Sequence, residues 1–125
     1  MGSNMNLSNV VENHLIIAED DMDILAVIQR ELESLTNLVI QSTNNGNDAL
    51  TLFKKKNTEF FVTDLNMPGL CGLDLIKEIR NINKDTLIIA LSGHPELLEK
   101  AGEVEGVITI EKPFDLDDFM EKIHG

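Results

Sequence analysis

Basic residues are scarce in this chain: ten Lys and Arg stand against 22 Asp and Glu, and 10 − 22 leaves a net charge of −12. A phosphate backbone is repelled by such a field, which argues against nucleic-acid binding by this domain. Long apolar runs are missing as well, and none approaches the roughly 20 residues that a membrane-spanning helix needs. No membrane partner is therefore expected. Cys71 is the only cysteine, so no internal disulfide can form, and a reducing, cytoplasmic location fits. The opening Met1-Gly-Ser-Asn-Met5 has neither the basic nor the apolar part of a signal peptide. Residues 1–13 read as a disordered leader or cloning remnant, and 14–124 as one domain with a single core.

What is present is organised around Glu59-Phe-Phe-Val-Thr-Asp64-Leu-Asn-Met-Pro68-Gly69. Phe60 to Thr63 are aromatic or β-branched, the side chains that suit a buried, pleated strand. Pro68 and Gly69 then stop the run. Asp64 falls where strand gives way to loop. In an open parallel sheet that carboxyl edge is where ligands bind, so Asp64 is placed as a candidate nucleophile.

The same grammar recurs along the chain. His14 to Ala18 is a short apolar strand ending in Glu19-Asp20-Asp21, with Asp23 close behind. A helix follows, with Ile24, Leu25, Ile28, Leu32 and Leu35 on one face. Capping of that helix accounts for one or two of the acids, but not for Glu19 and Asp20 as a pair. Leu38 to Gln41 is a second strand, and a polar turn from Ser42 to Asn47 leads to a helix over Asp48 to Lys56. Lys54, Lys55 and Lys56 suit the negative end of that helix and need no docking role. Beyond Asp64 a helix is expected from about Leu73 to Asn81, then a strand over Thr86 to Leu91 running into Ser92-Gly93-His94. Glu96 to Ala101 gives a short helix, Gly106 to Ile110 a fifth strand, and Asp115 caps a last helix carrying Leu116, Phe119, Met120 and Ile123. Five strands alternating with five helices predict an α/β fold, a single doubly wound parallel sheet covered on both faces.

In such a sheet Glu19, Asp20, Asp64, Ser92 and Lys112 all lie at or just past strand ends, on one edge. Three carboxylates there repel one another. A hard divalent cation offsets this, and Mg²⁺ suits carboxylates together with water and phosphate oxygens. With a lysine and a hydroxyl added, the set fits charge neutralisation and positioning of a transferring phosphoryl group.

Glu19-Asp20-Asp21, Asp64-Leu-Asn-Met-Pro-Gly, Leu91-Ser92-Gly93 and Glu111-Lys112-Pro113-Phe114 together resemble the signature segments of response-regulator receiver domains. The resemblance runs from about Leu15 to Ile123 and implies a flavodoxin-like (βα)5 fold. It implies Asp64 as phosphoryl acceptor, and Glu19 and Asp20 as the pair holding Mg²⁺ beside Asp64 and the Asn66 backbone carbonyl. Ser92 matches the switch hydroxyl, Lys112 the lysine that pairs with the acceptor, and Pro113 a proline after a cis peptide. Asn66 and His94 are expected to flank the path of a hydrolytic water. The alternative for His94 is an exposed loop residue ahead of Pro95. A sensor histidine kinase or phosphotransfer protein is the implied donor, with an output domain or partner protein as target.

Two departures stand out. Thr109 occupies the place where the family commonly has an aromatic switch residue, and the chain has no Tyr or Trp, so a Tyr-flipping switch is excluded. The segment from Ser92 to Lys112 is short and holds Gly102 and Gly106, which predicts a short fourth helix. Two other classes compete with a phospho-accepting regulator that modifies only itself. A binding module that is never phosphorylated is disfavoured because every expected charged residue is present. A turnover enzyme on the same sheet lacks a glycine-rich phosphate cradle after the first strand.

Overall fold

Five short β-branched runs, each followed by an amphipathic segment, build the alternation seen in a computed structural model that describes residues 13–34 and 38–124. The elements are β1 (Asn13–Ala18), α1 (Met22–Glu33), β2 (Leu38–Thr43), α2 (Gly46–Lys55) and β3 (Phe60–Asp64), then α3 (Gly72–Ile82), β4 (Leu87–Ser92), α4 (Pro95–Gly102), β5 (Val107–Glu111) and α5 (Leu116–His124). All strand pairs are parallel and the sheet order is β2-β1-β3-β4-β5. The expected doubly wound α/β sheet is the observed fold.

Strand alternation splits the core in two. Ile16, Phe61 and Ile88 face α2, α3 and α4, where Phe53, Ile76, Ile79 and Ala101 close the layer. Leu15, Ile17, Val62 and Ile89 face α1 and α5, meeting Leu25, Ile28, Leu32 and Phe119. Fully burying one such aliphatic or aromatic side chain contributes about 1.5–3 kcal/mol, so two filled layers hold β3 rigidly between them. Phe53 and Phe61 meet edge to face with centroids 5.8 Å apart. The remaining ring pair, Phe114 and Phe119, stacks at 5.8 Å under the β5–α5 loop.

Several boundaries differ from the sequence reading, each for a local reason. Helix α2 begins at Gly46, not Asp48, because Asn45 caps it: Asn45 Oδ1 accepts from the Asp48 amide at 2.8 Å while its Nδ2 donates to Asp48 Oδ2 at 3.0 Å. Strand β4 starts at Leu87, since Thr86 turns its hydroxyl to the Thr58 carbonyl at 2.8 Å. Gly106 precedes β5 with φ +76°. Helix α4, of eight residues, opens on Pro95 and is as short as expected. Asp115 caps α5, accepting from the Asp118 amide at 2.7 Å. Leu35 and residues 1–12 lie outside the described residues, as does the side chain of Ile123. Among the described residues no helix is long and apolar enough to cross a membrane.

Candidate functional site

The parallel ladder carries its pairing just past the strand ends, and this brings the polar residues together. The Glu19 amide donates to Thr43 O at 3.1 Å, the Leu65 amide to Leu91 O at 2.8 Å, and the Lys112 amide to Ser92 O at 2.8 Å. Glu19, Asp64, Ser92 and Lys112 therefore share one edge although 93 positions separate the first from the last. The loop after Asp64 is held low by a close approach: a side chain on Gly72 would place its Cβ 2.5 Å from Leu65 Cα and 3.0 Å from Asp64 O. Gly69, with φ +89°, makes the turn before it. The sequence reading has Gly69 stopping the strand run and gives Gly72 no role.

Asp64 is 5% exposed. Its Oδ2 accepts from Lys112 Nζ at 2.9 Å and its Oδ1 from the Asn66 amide at 2.9 Å. Glu19 is fully buried; Oε1 accepts from Lys112 Nζ at 3.1 Å and Oε2 from the Asp21 amide at 3.1 Å. Asp21 in turn caps α1, its Oδ1 accepting from the Asp23 and Ile24 amides at 3.0 and 3.2 Å. The acid run thus divides its labour: Asp21 turns the chain into the helix, Glu19 faces inward, and Asp20 is exposed.

One ammonium lies between two buried acids. Burial pushes the Glu19 carboxyl above its ordinary value; the bonds from Asp21 and Lys112 only partly offset this, and Asp64 adds repulsion. Burial works against the Lys112 charge too, but its bonds to Asp64 and Glu19 prevail and hold its pKa above the usual lysine value. Both pKa values rise, which favours the charged form of Lys112 and disfavours that of Glu19: Lys112 gains two partners, while Glu19 shares one cation with Asp64. One group of three acids among the described residues, Glu19, Asp20 and Asp64, offers ligand oxygens within 4.8 Å of one another. Hard oxygen donors at that spacing fit a divalent cation such as Mg²⁺.

Ser92 is fully buried. Its Oγ donates to Asn66 Oδ1 and accepts from the His94 amide, each at 3.0 Å. The His94 ring is 59% exposed, with Nδ1 3.8 Å from Glu96 Oε1. Thr109 lies on β5 opposite Ala90, on the α4 side, where a Cβ on Gly102 would reach its Cγ2 at 3.8 Å. The Lys112–Pro113 peptide is cis, as expected. Glu19, Asp20, Asp64 and Lys112 are thus gathered, Asn66 and Ser92 adjoin them, His94 touches through its backbone, and Thr109 stands apart on β5.

A doubly wound sheet with acids, hydroxyl and lysine at one carboxyl edge defines a class of signalling receiver. Residues 15–124 match the family described as response regulator receiver domain, and the chain belongs to that family. It is 29% identical over 112 residues to the sensory transduction protein LytT of Oceanobacillus iheyensis, covering 85% of this chain and 44% of that protein. It is 22% identical to sporulation initiation phosphotransferase F of Bacillus subtilis, covering 89% and 91% of the two chains. The chain spans half or less of several curated relatives, among them LytT and the transcriptional regulatory protein YkoG of Bacillus subtilis, at 44% and 50% of their lengths. Among solved structures, chemotaxis response regulator CheY4 of Vibrio cholerae superposes with a TM-score of 0.81 at 20% identity, covering 91% and 98%, a likeness of fold. The receiver domain of the Francisella response regulator 1452 superposes at 0.79 with 26% identity, covering 90% and 94%.

Proposed function

We propose that this receiver domain takes a phosphoryl group onto Asp64 from a phosphohistidine of a sensor kinase or phosphotransfer protein, with Mg²⁺ at Glu19, Asp20, Asp64 and the Asn66 carbonyl. In the transfer the donor's P–N bond breaks as a P–O bond to a carboxylate oxygen of Asp64 forms, and the imidazole leaves with the electron pair. The observation that carries the reading is the Asp64 carboxylate itself: nearly buried at the end of the central strand, bonded to Lys112 at 2.9 Å, and within 4.8 Å of two further acids.

Each neighbour has a task in this reading. Lys112 offsets charge on the acceptor and then on the phosphoryl oxygens. Asp20, the exposed acid of the group, offers the open coordination side, while Glu19 keeps Lys112 in place. The divalent cation supplies charge neutralisation and orientation of the phosphoryl oxygens. Ser92 supplies a hydroxyl to the phosphorylated state. Water then slowly hydrolyses the acyl phosphate along a path flanked by Asn66 and His94, so the domain catalyses only its own modification and its reversal. The signal passes to an output domain or partner protein without an aromatic switch, since β5 carries Thr109. With acetyl phosphate and Mg²⁺, intact-mass measurement should show one added phosphoryl group on the wild type and none on Asp64→Asn, which keeps shape but loses the nucleophile. Equal adducts on both would refute the assignment.

A further inference from the structure

The Ser92 hydroxyl already has an acceptor. Ser92 ends β4, is fully buried, and gives its hydrogen to Asn66 Oδ1 at 3.0 Å. A hydroxyl carries one hydrogen. While Asn66 holds it, none is left for an oxygen on a phosphorylated Asp64. Asn66 is itself tied to the acceptor, because its amide donates to Asp64 Oδ1 at 2.9 Å. Resting on the reading of Asp64 as the acceptor, we propose that the Asn66 side chain is a latch on the resting state. Its oxygen competes with the phosphoryl group for the Ser92 hydrogen, and so sets the balance between resting and phosphorylated conformations.

The two ends of this bond stand in different surroundings. Asn66 is exposed, so on release its oxygen exchanges Ser92 for water. Ser92 is buried and needs an acceptor in either state. A charged phosphoryl oxygen is a stronger acceptor than a neutral amide, so the latch biases the equilibrium without blocking it. The bond from the His94 amide uses a Ser92 lone pair, and is compatible with either direction of the hydroxyl hydrogen. Removing the Asn66 oxygen strands the hydroxyl in the resting state only, and the phosphorylated form gains by comparison.

Beryllofluoride, an unreactive mimic of a phosphoryl group, tests this with Mg²⁺ present. It is titrated into the wild type, Asn66→Ala, Ser92→Ala and the double variant, followed by calorimetry and by the amide NMR shift of His94. Asn66→Ala should bind about 3- to 10-fold more tightly, the shift that one neutral hydrogen bond supports. Ser92→Ala should bind more weakly, and adding Asn66→Ala to it should change nothing, an outcome that a merely structural role for Asn66 would not give. An unchanged or weaker affinity in Asn66→Ala, or the same gain with and without Ser92, overturns the latch. If the wild type takes up no beryllofluoride, the acceptor reading of Asp64 falls and the latch with it.

Discussion

Replacing Lys112 with Met removes the one cation shared by two buried acids and keeps most of the side chain's apolar volume. Lys112 Nζ lies 2.9 Å from Asp64 Oδ2 and 3.1 Å from Glu19 Oε1, and its side chain is 20% exposed. Removing one partner of a buried pair costs about 3–5 kcal/mol, and the low end applies to this partly open site. At about 3 kcal/mol the cation-free domain should melt roughly 10 °C lower at neutral pH. The loss should also depend on pH. The Glu19 carboxyl, already raised by burial, moves further up without its ammonium. A carboxyl whose folded pKa exceeds its unfolded value binds protons more readily when folded. Its penalty is thus absent below the unfolded value and grows as pH rises through the folded one. Urea unfolding of both proteins without divalent cations should therefore show a much smaller difference near pH 5 than near pH 7.5. A loss that is the same at both pH values, or below about 1 kcal/mol at the higher one, would refute the electrostatic account of the site.

Three further outcomes follow from the same geometry. In the wild type, the Glu19 carboxyl followed by carbon NMR should titrate above its ordinary value of 4.5, so its contribution to stability declines as pH climbs past that value; Asp64→Asn should lower its pKa only in part, because burial is the larger cause. A divalent cation should raise the melting temperature of the wild type by ligand linkage. Asp20→Asn should lose most of that shift while leaving the cation-free domain as stable or slightly more so, and an undiminished shift would remove Asp20 from the ligand set. Gly72→Ala drives a Cβ to 2.5 Å from Leu65 Cα. It should cost about 1–3 kcal/mol by chemical unfolding, and a neutral result would show that the Asp64 loop is not pinned by α3.

Much of this was legible in the sequence, for a physical reason. Parallel strands flanked by helices read as plain apolar runs, and Glu19, Asp20, Asp64, Ser92 and Lys112 sit at or just beyond their ends. His14 to Ala18 and Phe60 to Thr63 announce their strands, and the acids that follow are placed by topology alone. Side-chain direction was not legible. Glu19 is buried with both oxygens bonded to Lys112 and Asp21, a pairing that its place in the acid run does not announce. The bond from Ser92 to the Asn66 side-chain oxygen was not legible either. Such pairings join the ends of β1, β3, β4 and β5, which no local pattern encodes. Arg80 was missed altogether. It is 7% exposed and bonds the carbonyls of Glu105 and Asn83 at 2.9 and 3.1 Å. Its spacing from Leu73 and Ile76, on the inward stripe of α3, was the available signal.

The central claim is that Asp64, and not another acid of the cluster, carries the phosphoryl group. Borohydride reduces an acyl phosphate to an alcohol and so marks the modified residue permanently. After treatment with acetyl phosphate and Mg²⁺, reduction and tryptic digestion, Asp64 falls in the peptide 57–77, apart from Glu19 and Asp20 in the peptide ending at Arg30. Fragment-ion mass spectrometry of these peptides should find the mark at Asp64 alone. A mark at Glu19, at Asp20 or at Asp74, or none anywhere, would contradict the account.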